Sequence, residues 1–316
     1  MKILVTGCAG FIGSHLCEEL LSNDHIVYGI DNINDYYDEK QKYKNIEEIK
    51  NHSKNYNFYF YHEDIRKTNL INDIDFDIVC NLAAMAGVRY SIENPLLYSD
   101  VNIIGTLKLL EDCVKNKVKK FIYASSSSVY GLNKKIPFCE EDKIEKCNSP
   151  YAVSKLCNES YAKMYNQLYG INTIGLRFFT VYGPRGRPDM APYKFIKKIL
   201  NNDSIDKYGN GETMRDYTYV SDIVSGIMGA INLPCCNENK VYNLGNNSPI
   251  SLNNFIKLCE EVCDKKAVIT QKDNQLGDVP VTYADITLAS KELNYSPKVL
   301  LKDGLLNLKK WLEKNV

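Results

Sequence analysis

The turn Gly7-Cys8-Ala9-Gly10-Phe11-Ile12-Gly13 constrains this chain more than any other stretch. It follows a short apolar run, Lys2 to Thr6, and opens a segment, Phe11 to Leu21, with helical periodicity. Strand, glycine turn and helix in that order read as the first crossover of a parallel sheet. Glycine tolerates the backbone angles of a tight turn and leaves room for a phosphate against the main chain. The helix then offers free N–H groups and the positive end of its dipole to that anion. A second apolar run, His25 to Ile30, ends on Asp31, eighteen positions after Gly13. A carboxylate there accepts hydrogen bonds from an adenosine ribose and repels a 2′-phosphate, which favours NAD over NADP. With no ligand, the same residues make only a tight strand-to-helix turn.

The alternation continues. Tyr56 to Tyr61, Asp77 to Ala83, Val118 to Ala124 and Ile171 to Phe178 are further strand candidates, and Pro95 to Lys117 and Tyr151 to Tyr169 are helical. The pattern predicts an α/β fold with a Rossmann-type, doubly wound parallel sheet. After Thr180 the texture changes: Pro184, Gly186, Pro188 and Pro192 cluster, and Gly209-Asn210-Gly211 marks a turn. The expected organisation is a dinucleotide-binding domain over 1–180 and a smaller substrate-binding lobe over 181–316, with 220–245 packing back on the first. The Lys/Asn/Tyr-rich piece from Lys40 to Asn57 reads as a solvated helix and loop.

Composition narrows the class of function. The 316 residues are 44% hydrophobic, enough to bury a sizeable core, so disorder is excluded as the main state. Lys plus Arg is 39 and Asp plus Glu is 39, and this balance argues against a nucleic-acid partner. The eleven cysteines are odd in number and do not space as a disulfide framework. Cys259 and Cys263 have helical spacing, but His15, His25, His52 and His62 are scattered, so no metal site is expected. No segment reaches the ~18 apolar residues of a membrane helix, and the N-terminal run is broken by glycines, so no membrane is expected and the cytosol is the expected compartment.

Tyr151 and Lys155 stand four apart in a helical stretch beginning after Pro150, which puts them on one face. A phenol is a poor base at neutral pH, with a pKa of about 10. A nearby ammonium, together with an oxidised nicotinamide ring, would stabilise the phenolate. Ser125-Ser126-Ser127-Ser128 follows the Val118 to Ala124 strand, at the sheet edge where ligands of such folds bind. A serine hydroxyl there can share the proton of a substrate alcohol. Taken alone, Tyr-x-x-x-Lys is a common structural pattern; beside a dinucleotide turn it reads as a base and its electrostatic partner.

GCAGFIG, Asp31-Asn32, Asp64-Ile65, NLAA, SSSSVYG and YAVSK together make the chain resemble the extended short-chain dehydrogenase/reductase family over its full length. Within it the chain is most similar to nucleotide-sugar 4-epimerases, and more narrowly to those of UDP-glucuronate, through DNINDYYD (31–38), AAMAGVRYSIENPLLY (83–98), RFFTVYGPRGRPDMA (177–191) and GDVPVTYAD (277–285). The resemblance implies tightly held NAD, a UDP-sugar substrate and a homodimer. It implies that Gly7, Gly10, Phe11, Ile12, Gly13, Asp31, Asn32, Asp64, Ile65, Leu82, Ala83, Ala84, Asn102, Tyr151 and Lys155 touch NAD. Tyr151 would be the base, Lys155 its partner and Ser126 the hydroxyl partner. Tyr208, Arg215 and Asp278 stand where the family holds UDP. Gln275, three residues before Asp278, replaces an arginine of galactose-type epimerases and fits the uronate branch.

A uronate oxidised at C4 is a β-keto acid and loses CO₂ readily, so an epimerase must hold the carboxylate. Thr180, Arg187, Ser127 and Ser128 are the candidates, with Arg185 and Arg89 behind them; a surface or inter-lobe ion pair is the alternative for each arginine. Competing readings are a UDP-sugar 4,6-dehydratase, a UDP-glucuronate decarboxylase and an epimerase of UDP-glucose or UDP-N-acetylglucosamine. The dehydratase branch carries an Asp-Glu pair where this chain has Ser127-Ser128. A silent NAD-binding regulator has no need of Tyr151, Lys155 and Ser126 together.

Overall fold

The computed structural model describes residues 1–144, 146–273 and 280–315. The first half runs β1 (Lys2–Thr6), α1 (Phe11–Ser22), β2 (Ile26–Asp31), α2 (Glu39–Lys50), β3 (Phe58–His62), α3 (Leu70–Asp73), β4 (Ile78–Asn81), α4 (Val88–Glu93), α5 (Pro95–Tyr98), α6 (Gly105–Lys115), β5 (Lys120–Ser126), α7 (Pro150–Tyr169) and β6 (Asn172–Phe178). The second runs β7 (Thr180–Tyr182), α8 (Ala191–Leu200), β8 (Ser204–Tyr208), β9 (Met214–Tyr219), α9 (Val220–Asn232), β10 (Asn239–Leu244), β11 (Pro249–Ser251), α10 (Leu252–Cys263), β12 (Val268–Lys272), β13 (Val281–Thr282), α11 (Thr287–Leu293) and α12 (Leu301–Asn315).

Seven strands form one sheet in the order β10-β6-β5-β4-β1-β2-β3, every pair parallel. Both faces are covered by helices, which is why β1 and β4 are largely apolar runs rather than alternating patterns and every residue of β6 is buried. One face packs on α1 and α9, with Leu16, Leu20, Ile223 and Ile227 in its core. The other packs on α6 and α7, with Leu109, Leu110, Ala162 and Tyr165. Order reverses between β1 and β4, so a crevice opens beyond their C-terminal ends.

Two sequence expectations need amendment. Pro95 to Lys117 is not one α-helix: a π-helical segment, Ser99–Ile104, joins α5 to α6. The stretch from Lys40 is not merely solvated. In α2, Lys42, Asn45, Ile46 and Ile49 share one face and are buried against the first crossover, because Lys and Asn found specific acceptors there.

The remaining strands make a small sheet of β7, β9, β11 and β13 and a β8–β12 pair. Their core joins Ile196, Ile199, Phe255, Leu305 and Leu308 from α8, α10 and α12. Buried Asp216 on β9 ties this lobe to the main sheet. Its carboxylate accepts N–H bonds from Asn246, Asn247 and Ala284 at 3.1 to 3.2 Å, so the charge is solvated by backbone. No helix among the described residues is long and apolar enough to cross a membrane. Those residues also contain no His/Cys/Asp/Glu group suited to a metal.

Candidate active site

The crevice is a cavity of about 370 Å³ bordered by the β1–α1 turn, the ends of β2, β4, β5 and β6, the face of α7 and the segment after β7. Backbone geometry at the turn demands glycine. Gly7 has φ +71°, and a Cβ there would lie 2.8 Å from the Ala83 nitrogen. A Cβ on Gly13 would lie 2.1 Å from the Gly7 carbonyl oxygen. Gly10 caps α1 without a side chain, so the first N–H groups of the helix face the cavity rather than a local acceptor. An anion fits there on the same donors and dipole that bind phosphates elsewhere.

Asp31 borders the cavity from the end of β2 and accepts N–H bonds from Ala9 (3.1 Å) and Ile33 (2.8 Å). Burial raises its carboxyl pKa, while these bonds and the charge of Lys42 act against the rise. Asn32 donates to Asp64 at 3.0 Å, and hydrogen bonds from Arg66 hold Asp64 down to about 2. Gly7, Gly10, Phe11, Ile12, Gly13, Asp31, Asn32, Asp64, Ile65, Leu82, Ala83, Ala84, Tyr151 and Lys155 all border the one cavity. Asn102 does not. It is buried in the π segment and bonds the backbone N–H and carbonyl of Met85 (2.8 and 3.0 Å) and Ser154 Oγ (3.0 Å). It reaches the cavity wall through Met85, which does border it.

Tyr151 and Lys155 occupy successive turns of α7, capped by the Ser149 hydroxyl with Pro150 in the first turn. Glu159, one turn further, forms a two-point ion pair with Arg177 of β6 (2.9 and 2.7 Å) and accepts from Ser125 of β5 (2.5 Å). This buried network locks that face of the helix against the strand ends. Ser126 hydrogen-bonds the Tyr151 hydroxyl, and its own Oγ accepts from the Ser128 N–H at 3.2 Å. Burial raises the Tyr151 pKa; the Ser126 bond and the charge of Arg187 oppose it. Sequence reasoning gave that electrostatic part to Lys155. In this structure the Lys155 Nζ donates to the Ala124 carbonyl at 2.8 Å, and burial brings its pKa down to about 8.

Ser127, Ser128, Thr180 and Arg187 border the same cavity. Two other arginines are corrected. Arg185 has φ +61°, which turns it back onto α1 and α2; it pairs with Glu18 (2.7 Å) and Glu48 and does not reach the cavity. Arg89 is exposed, lies over the Tyr208 ring, 5.8 Å from its centroid, and does not border the cavity. Tyr208 and Arg215 also stand off the cavity, on β8 and β9, and Arg215 donates to the Met214 carbonyl at 2.8 Å. Gln275 and Asp278 lie outside the described residues.

Sequence reasoning missed Lys42 and Tyr36, both at the cavity. The Lys42 Nζ donates to the Asn34 carbonyl and Oδ1 at 2.6 and 2.7 Å. Its spacing from Ile46 and Ile49 puts it on the inner face of α2, and that periodicity was the available signal.

The protein family described as GDP-mannose 4,6 dehydratase matches residues 4–308. An uncharacterized protein of Methanocaldococcus jannaschii is 47% identical, over 99% of this chain and 97% of its own. UDP-glucuronate 4-epimerase of Thermodesulfobacterium geofontis is 42% identical, over 99% of this chain and 96% of its own. The crystal structure of UDP-glucuronic acid 4-epimerase from Bacillus cereus with UDP-glucuronic acid and NAD is similar at a TM-score of 0.92 and 39% identity, covering 99% of both chains. Likeness at this level runs through both lobes, and the chain belongs to the nucleotide-sugar epimerase and dehydratase branch of the extended short-chain dehydrogenase/reductase family.

Proposed function

We propose that the protein is an NAD-dependent 4-epimerase that interconverts UDP-glucuronate and UDP-galacturonate through a 4-keto sugar. One observation carries the reading: the phenol of Tyr151, bonded to Ser126, shares a cavity with the glycine cradle on one side and Arg187 on the other. The cradle fits NAD, which when bound supplies hydride acceptance and return at C4. Tyr151 takes the O4 proton, Ser126 shares it during transfer, and protonated Lys155 favours the phenolate. Tyr208, Arg215 and Asp278 hold the UDP, so the sugar can turn between two faces while its anchor stays fixed. Arg187, Thr180, Ser127 and Ser128 grip the C6 carboxylate and keep the C5–C6 bond out of line with the C4 carbonyl, which suppresses loss of CO₂. A 4,6-dehydratase needs an acid and a base beside C5 and C6, and Ser127 and Ser128 offer neither. The protein works as a homodimer through the outer faces of the helices over 95–117 and 151–169.

Incubating the purified protein with UDP-glucuronate and reading products by NMR tests this. UDP-galacturonate is the expected product. A UDP-pentose as main product assigns decarboxylation, and turnover of UDP-glucose or UDP-N-acetylglucosamine in preference to the uronate removes the substrate assignment.

A further inference from the structure

Arg187 is the only arginine among the described residues that borders the cavity, and two groups left without a task above hold it. Asp189 accepts from its Nε at 3.0 Å and its Nη2 at 2.5 Å, a two-point pair along one edge of the guanidinium. Asp189 itself does not border the cavity. Tyr36, from the segment after β2, lies against the guanidinium face with its ring centroid 5.6 Å from Cζ. Gly87 makes this packing possible. It has φ +97°, and a Cβ there would lie 2.5 Å from the Tyr36 hydroxyl and 3.5 Å from the Arg187 Nη2.

A guanidinium has a face and two hydrogen-bonding edges. Here the ring takes the face and Asp189 takes the Nε–Nη2 edge, which leaves the Nη1–Nη2 edge for a ligand. An unheld arginine loses rotamer freedom when it binds, and that cost weakens binding. Asp189 and Tyr36 remove it in advance, and Asp189 also compensates the cation while the site holds no sugar. We infer that Asp189 is a positioning residue that turns Arg187 into a reader of the sugar carboxylate, with Tyr36 as its support, and that this bracket selects a uronate over neutral UDP-sugars. The inference rests on the function proposed above and deepens it.

Calorimetric titration of the NAD-loaded protein with UDP-glucuronate and with UDP-glucose reads the bracket without turnover. The wild type prefers the uronate; Asp189→Ala weakens uronate binding about tenfold, the scale of a charge-assisted contact, with UDP-glucose binding unchanged. Asp189→Glu restores part of the preference, and Asp189→Asn, which keeps one acceptor, lies between. In turnover assays Asp189→Ala raises KM for UDP-glucuronate more than it lowers kcat. Unchanged uronate binding in Asp189→Ala, an equal loss for both sugars, or a wild type with no preference overturns the bracket. Tighter uronate binding in Asp189→Ala also overturns it, since Asp189 then competes with the sugar for Arg187. A wild type that prefers the uronate without epimerising it sinks the proposed function and leaves the bracket standing. Epimerisation with a preference that survives Asp189→Ala does the reverse.

Discussion

Lys155 and Tyr151 face one cavity from successive turns of one helix, but the ammonium bonds the backbone: its Nζ is 2.8 Å from the Ala124 oxygen and 5.8 Å from the Tyr151 ring centroid. The charge that opposes the raised Tyr151 pKa in this structure is that of Arg187, so Lys155 is left to act on the phenol only through space, by its own charge. That charge is fragile, because burial brings the Lys155 pKa down to about 8. Below that pH the ammonium that the proposed mechanism uses is present; above it the charge is lost as pH rises. In the protein free of sugar, kcat/KM falls on the alkaline side with a midpoint near 8, because this ratio reports ionisations of the free enzyme. Arginine stays protonated throughout. Lys155→Arg, in whatever activity it retains, moves the alkaline limb to higher pH, and an unmoved limb assigns it to another group.

Tyr151→Phe keeps the ring and its packing against Tyr98, centroids 6.1 Å apart, and removes only the hydroxyl that meets Ser126. Turnover drops by about 10²- to 10⁴-fold, the usual worth of a positioned acid or base. Nucleotide released from the denatured variant matches the wild type, because the cradle is on the β1–α1 turn. Loss of nucleotide along with activity would make Tyr151 a binding residue first.

Six strands of the main sheet were legible because each is a short, largely apolar run closed by a turn, as from Ile3 to Thr6; the edge strand β10, NKVYNL, was not, because its polar residues hide the pattern. The cradle was legible because φ +71° at Gly7 and the closeness of Gly13 to the Gly7 carbonyl admit almost no residue but glycine. The arginines were not. Arg185 and Arg187 lie two apart in one proline-rich stretch and point to different partners, Glu18 and Glu48 for one and Asp189 for the other. Only backbone angles and tertiary neighbours separate them. Lys42 looked like one more surface lysine of a polar helix, since its acceptor, Asn34, lies in the preceding loop.

Gly13→Ala tests the cradle by volume. The added methyl would sit 2.1 Å from the Gly7 oxygen, against the Gly7–Cys8 backbone, so the turn itself must shift. Overpacking of this kind costs about 1–3 kcal/mol. The variant melts earlier and is isolated with little or no NAD. A folded variant with full nucleotide content would remove the β1–α1 turn from the binding site.

On the outer face of α7, Val153, Cys157, Met164 and Leu168 recur at helical spacing, with Leu168 64% exposed and Val153 46%. Leu96 on α5 is 83% exposed on a helix that packs beside α7. Apolar surface gathered on one layer of helices marks an association face. The wild type sediments as a dimer at micromolar concentration, and Val153→Glu with Leu168→Glu dissociates it into folded monomers. A monomeric wild type, or an unaffected double variant, refutes this face.

Arg187 bears on the fate of the keto sugar that the proposed function forms. With C4 oxidised, the C6 carboxylate is β to a carbonyl, and CO₂ leaves when the C5–C6 bond aligns with the carbonyl π system. On the function proposed above, Thr180, Ser127, Ser128 and Arg187, which border the cavity, would hold that bond out of line by fixing the carboxylate, with Arg187 as the charged part of the grip. Arg187→Ala leaves Thr180, Ser127 and Ser128 as neutral donors, so the carboxylate turns more freely. The variant shows a higher KM for UDP-glucuronate and a larger UDP-pentose fraction relative to UDP-galacturonate, read from one NMR time course. Tyr151 also loses the positive charge that opposes its raised pKa, so the acid limb of the rate profile shifts to higher pH. An unchanged product ratio would assign control of CO₂ loss to the hydroxyl donors alone, and an unchanged acid limb would mean that the charge of Arg187 does not reach the phenol.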